Sequence, residues 1–176
     1  MTKSHDKAVS RLKYSILRQL KNADNCIVCG TENSASMNAR FYVLDNDDIL
    51  CIAHPGKDHE SYPGRLHGGL VSSVLDECMA RVLQAEDIDA TAITLSMTVN
   101  FRIPVPTEEE LHAISHLIKR YSNGAFTASA EIRLKNGQIA AEATGKYLLV
   151  PPEKLSESGA GNNFVIQEDI PEEIEF

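Results

Sequence analysis

The sequence predicts an α+β domain: an antiparallel sheet of five to six strands wrapped on one long central helix, with an added helix at the N-terminus. Three observations predict it. A long helical apolar pattern ends near residue 84, four β-type runs follow it, and two of the gaps between those runs are Asn-Gly. Composition divides the chain into a basic amphipathic segment over residues 1–24, the domain over 25–152, and an acidic tail over 153–176 that is expected to be mobile.

Residues 3–21 suit a helix because Val9, Leu12, Ile16 and Leu20 recur at spacings of three and four. Lys3, Lys7, Arg11, Lys13, Arg18 and Lys21 stand against Asp6 and make it basic. Its narrow apolar stripe favours docking on the main domain over lying on a membrane. Residues 40–44 and 49–53 are short apolar runs flanking Asp45-Asn46-Asp47-Asp48, as expected for two strands and a tight turn. A connector rich in Gly, Pro and His leads into the helix, expected over residues 69–84. Strands are expected at 91–103, 111–121, 125–134 and 138–150, with Asn123-Gly124 and Asn136-Gly137 as hairpin turns. The tail carries Glu153, Glu157, Glu168, Asp169, Glu172, Glu173 and Glu175 against Lys154, and its charge invites contact with the basic N-terminal segment. A single sheet covered by one helix leaves strand edges open, so pairing with a second copy is expected.

Composition excludes several function classes. A net charge of −8 repels a phosphate backbone, and the absence of Trp removes the strongest base-stacking residue, so nucleic acid is not an expected partner. No run approaches the ~20 apolar residues of a membrane helix, and the N-terminus lacks a secretory core, which makes the cytoplasm the expected compartment. The four cysteines are then expected as thiols. Cys26-x-x-Cys29 and Cys51-x-x-His54 together offer a zinc-type set. On one regular strand, however, Cys51 and His54 face opposite sides, so no metal is expected. His112 and His116 share a strand face about 13 Å apart, too far for one ion. No cofactor is expected.

The informative stretch runs from Tyr62 to Leu83. On a helical wheel Val71, Val74, Leu75, Cys78 and Val82 form the face toward the sheet, while Glu77 and Arg81 lie opposite, as an exposed ion pair. Asp76 falls away from that polar stripe, among Ser72, Met79, Ala80 and Leu83, which suits a partly buried carboxylate. It reads equally as a satisfied helix aspartate or as a reactive group. His67-Gly68-Gly69 supplies glycine amides at the helix N-terminus, where the helix dipole favours an oxygen that gains negative charge; a plain tight turn fits the same residues. Gly68 and Asp76 are eight residues apart, roughly 12 Å along a helix, so joint action on one group requires a second copy.

The segment resembles the helix motif of the hotdog-fold thioesterases, in the branch related to the phenylacetate-degradation enzyme. The resemblance spans residues 25–151. It rests on Cys26-x-x-Cys29-Gly30, Tyr62-Pro63-Gly64, His67-Gly68-Gly69 with Asp76 nine positions after the histidine, Asp76-Glu77, Val99 to Pro104, and Ala141 to Tyr147. It implies a hotdog fold, hydrolysis of an acyl-CoA thioester to an acid and free CoA, and a homodimer or dimer of dimers. It also implies Asp76 as general base or nucleophile and Gly68 N–H as oxyanion donor. Thr94 matches a position that places the water, and His67 one that orients the loop or touches the thioester oxygen. Gly69, Ser61, Arg65 and Arg102 are expected near the substrate, with Lys119 and Arg120 as further cations for CoA phosphates. Ser61 departs from the asparagine common six positions before the histidine. The alternative is a non-catalytic module that binds acyl-CoA or another protein.

Overall fold

The structure, a computed structural model, describes residues 13–151 and 171–175. In chain order it holds β1 (Lys13–Gln19), β2 (Arg40–Leu44), β3 (Ile49–Ala53), β4 (Glu60–Tyr62), β5 (Arg65–Leu66), α1 (Gly68–Ala80), β6 (Ala92–Phe101), β7 (Leu111–Arg120), β8 (Ala125–Arg133), β9 (Ile139–Leu149) and β10 (Glu173–Glu175). The main sheet is antiparallel throughout, in the order β10-β1-β2-β3-β7-β8-β9-β6; β4 and β5 form a small hairpin before the helix.

The six strands expected from apolar and β-type runs bounded by turn residues are present as β2, β3, β6, β7, β8 and β9. Gly124 and Gly137, at φ +82° and +78°, supply the left-handed conformation that the two Asn-Gly turns require. The α-helix is shorter than the pattern suggested, because Val82–Ala85 tightens into a 3-10 turn.

Two expectations are corrected. The sheet has eight strands rather than five to six, and Lys13–Gln19 is a strand rather than the second half of a helix. The first half of that expected helix lies outside the described residues. The spacing misled because Leu12, Ile16 and Leu20 are four apart, and an even spacing also keeps one face of a strand. The edge of β2 decides between the two states by offering a ladder, Ile16 opposite Leu44 and Gln19 opposite Tyr42. An extra residue between Ile16 and Arg18 then inverts the facing. Ile16 therefore packs with Tyr42 and Leu44 on one side of the sheet, and Leu20 enters the core on the helix side. β10 adds to β1 with Lys13 bonded to Glu173 at 2.6 Å, so the oppositely charged ends do meet, as strands. Most of the acidic tail lies outside the described residues.

The core lies between α1 and the sheet. Val71, Val74, Leu75, Cys78 and Met79 pack against Phe41, Cys51, Ala113, Ala128, Ile132, Ala141 and Tyr147, all buried. β6 ends the sheet and differs from the other long strands. Met97 and Val99 touch the core, but Ile93, Leu95 and Phe101 are 39%, 51% and 59% exposed. No helix among the described residues is long and apolar enough to cross a membrane.

Candidate active site

The start of α1 is fixed by His67. Its backbone is extended, and its Nδ1 accepts the Gly69 amide at 2.9 Å, capping the helix. A ring nitrogen that accepts carries no proton, so His67 is held with Nδ1 free of hydrogen. A Cβ at position 69 would stand 3.0 Å from that nitrogen, which explains the second glycine. The Gly69 amide, expected at the substrate, is thus spent on His67. Gly68 is the first helical residue, and its N–H has no acceptor within the helix. It lines a cleft of about 210 Å³ with Leu66, Val71, Phe101, Arg102 and Val105.

Asp76 lies two turns further on, partly buried, where α1 crosses β6 and β9. Its Oδ1 accepts two hydroxyls: Thr94 Oγ1 from β6 at 2.9 Å and Tyr147 OH from β9 at 3.0 Å. Two donors on one oxygen fix the carboxylate plane, and neither bond uses Oδ2. Tyr147 is fully buried, stacks on Phe126 at 5.3 Å, and bends back over its own strand. Burial and the charge of Asp76 push its phenol well up, so it remains a donor. Gly145 makes this possible, because a Cβ there would lie 2.6 Å from the Tyr147 ring.

The structure therefore joins Asp76 to Thr94 and places Gly68 at a separate cleft with Arg102. Arg102 is engaged by Glu142, which raises its pKa and lowers that of the acid. Ser61 and Arg65 are exposed on the β4–β5 hairpin before the helix. Lys119 sits over the Tyr121 ring at 5.0 Å and Arg120 pairs with Glu86 at 2.5 Å. Sequence reasoning missed the role of Tyr147. The signal available was the small residue two places earlier on its strand, which leaves room for a large ring to fold back.

The opposite flank of α1 corrects another expectation. Glu77 and Arg81 are ion-paired at 2.6 Å but not exposed, their side chains retaining 18% and 9% accessibility. The Cys26–Gly30 loop covers them, and the Arg81 guanidinium lies 4.2 Å above the Phe41 ring. Cys26 Sγ bonds Glu77 Oε2 at 3.1 Å, and Arg81 reaches Cys29 Sγ at 3.5 Å. Cys51 and Cys78 are buried separately under the sheet, and burial raises both thiols, Cys78 to about 12. His54, just beyond the end of β3, is exposed, whereas Cys51 is buried. His112 and His116 bond different acids, Glu110 and Asp48.

Residues 63–141 match the thioesterase superfamily model, a span that holds His67, Gly68, Asp76 and Thr94. Over those residues, just under half of the chain, the sequence resembles the thioesterase superfamily. Human acyl-coenzyme A thioesterase 13 is 25% identical over 100 residues, which cover 57% of this chain and 66% of that protein. Bovine acyl-coenzyme A thioesterase THEM4 is 24% identical over 66% of this chain and 48% of its own length. Among solved structures, a thioesterase superfamily protein superposes with a TM-score of 0.63 at 21% identity, covering 71% of this chain and 60% of the other. The PaaI protein from the phenylacetic acid degradation operon of E. coli gives a TM-score of 0.58 at 16% identity, covering 65% and 81%. The domain thus has the hotdog thioesterase fold, to which β1 and β10 add one edge of the sheet.

Proposed function

We propose that this chain is an acyl-CoA thioesterase whose site is completed by a second copy. The observation that carries the reading is the held carboxylate: Thr94 and Tyr147 fix Asp76 through Oδ1, and Oδ2 is left to meet water or a thioester. In the hydrolytic sequence Asp76 takes a proton from water as its oxygen bonds the thioester carbon. The carbonyl oxygen becomes an oxyanion and accepts the Gly68 amide of the partner subunit. The C–S bond then breaks, leaving the acid, and the thiolate of CoA takes the proton. Direct attack by Asp76, with an anhydride hydrolysed afterwards, uses the same groups.

The second copy follows from distance. Eight helical residues hold Gly68 and Asp76 roughly 12 Å apart, too far to act on one carbonyl within one chain. β6 supports the pairing, because it is a sheet edge with exposed Ile93, Leu95 and Phe101 beside Thr94. Antiparallel pairing of two β6 strands brings each Asp76 toward the other copy's Gly68. A dimer of dimers remains compatible with this contact. Arg102, which also pairs with Glu142, lines the cleft at Gly68, and Arg65 is exposed one residue before Leu66 of that cleft; both suit the phosphates of CoA.

The test is thiol release from short, medium, long and aromatic acyl-CoAs, with Asp76→Ala beside the unchanged chain. Hydrolysis that disappears in the variant supports the reading and gives the acyl class. A folded dimer that binds the esters saturably and releases no thiol overturns it in favour of a binding module.

A further inference from the structure

On the flank of α1 turned away from Thr94 and Tyr147, we propose that Cys26, Cys29 and Glu77 form a binding site for one soft divalent cation, zinc being the ion they fit best. The inference does not rest on hydrolysis. Three ligand atoms, the two sulfurs and a carboxylate oxygen, lie within 4.8 Å of one another. Tetrahedral zinc with bonds of about 2.3 Å to sulfur sets its sulfurs roughly 3.8 Å apart, so the cluster closes on an ion by small rotamer changes.

The loop is already shaped for this. The Val28 amide donates to Cys26 Sγ at 3.3 Å, and the Gly30 amide donates to the Cys26 carbonyl at 2.8 Å. A Cβ at Gly30 would fall 2.3 Å from that carbonyl, so the turn admits glycine alone. An amide aimed at a cysteine sulfur favours its thiolate, the form that binds metal.

Charge balances in the bound state. Glu77 and Arg81 cancel, so two thiolates would leave two negative charges in a half-buried pocket. One divalent cation neutralises them, and binding releases the two thiol protons to solvent. Arg81 occupies Oε1 of Glu77 and leaves Oε2, already 3.1 Å from Cys26, for the ion. Arg81 is itself held by the Lys21 carbonyl at 2.7 Å and by Phe41, the kind of outer support that ligating carboxylates have. Cys26 is partly accessible, so the fourth position opens toward water. The ion would clip the 24–31 loop to α1 at the residue next to Asp76.

Purified protein, reduced and stripped by chelator, is titrated with zinc and with cobalt. One equivalent per chain, with thiolate-to-cobalt charge-transfer bands and tetrahedral d–d intensity, is the expected result. Glu77→Gln should weaken cobalt binding by at least about tenfold, the loss typical of even an outer partner. Cys26→Ser and Cys29→Ser should abolish the thiolate bands. Should those variants fail to fold, the unchanged protein answers by itself. Alkylation mapped by mass spectrometry should show Cys26 and Cys29 protected by zinc, with no change at Cys51. No uptake by the reduced protein, cobalt spectra without thiolate bands, or equal alkylation with and without zinc would overturn the proposal. A Cys26–Cys29 disulfide that forms in air while the reduced form takes up no metal would do the same.

Discussion

Tyr147, on the strand next to the sheet edge, donates its buried hydroxyl to Asp76 Oδ1 at 3.0 Å, and Thr94 on the edge strand itself donates to the same oxygen at 2.9 Å. The carboxylate of α1 is thereby tied to β6 and β9 at once. Its orientation depends on packing far from it in sequence.

Removing the phenol while keeping the ring isolates that tie. Tyr147→Phe keeps the stack on Phe126 and loses a hydrogen bond to a charged group, a loss of about 1.5–3 kcal/mol. We expect kcat to fall on the order of tenfold with KM little changed, and Thr94→Val to act in the same direction. Steady-state kinetics on one acyl-CoA checks both. Unchanged kcat in Tyr147→Phe would show that Thr94 alone holds the carboxylate.

Gly145→Ala tests the same geometry from behind. The added methyl meets the Tyr147 ring at 2.6 Å, so the ring must move or the strand must shift. Overpacking of this kind costs typically about 1–3 kcal/mol. Thermal unfolding should show a lower midpoint, and the variant should lose activity together with Tyr147→Phe rather than independently of it.

Complementation tests whether two chains share one site. Gly68→Pro removes the first helical N–H at a position that tolerates proline, and Asp76→Ala removes the carboxylate. Each variant alone should be inactive. In a two-fold dimer, mixing and refolding them in equal amounts gives mixed dimers with one intact site, restoring roughly a quarter of full activity. Zero recovery from demonstrably mixed dimers would place both groups in one chain. Leu95→Arg, which puts a charge on the exposed edge of β6, should yield an inactive monomer by size-exclusion chromatography.

His116 gives a pH-dependent signal away from the site. Its Nδ1 bonds Asp48 at 3.1 Å, and that bond raises its pKa above the ordinary value although burial opposes it; Glu131 and Arg133 of β8 also face it, with opposite effects. A raised folded pKa means that the pair stabilises the protein fully below the unfolded histidine pKa. The contribution is lost as pH rises through the folded value. An NMR titration should find His116 above about 6.5, returning toward it in Asp48→Asn.

Much of the candidate site was legible because a few residue types have few physical uses. Glycines at a helix start, a histidine before them and an acid away from the polar stripe made Gly68, His67 and Asp76 candidates without coordinates, and the resemblance supplied their roles. Thr94 came from resemblance, and the structure bonds it to Asp76. Tyr147 was hidden because a buried tyrosine on an alternating strand looks like core, and it is also core. Glu77 and Arg81 looked exposed because a helical wheel counts one helix and cannot see the Cys26–Gly30 loop that covers them.

The sequence by itself determined what depends on neighbours a few residues apart. These are the six strands, the Asn-Gly turns, the central helix and the glycine-rich start of that helix. The tertiary structure decided whatever depends on a surface supplied from elsewhere. Lys13–Gln19 became a strand because the edge of β2 was open to it, and its spacing of apolar residues fitted either state. The Asp76 carboxylate took its orientation from hydroxyls 18 and 71 residues away. Local spacing sets which faces a segment can present; the partner available at each face selects among them.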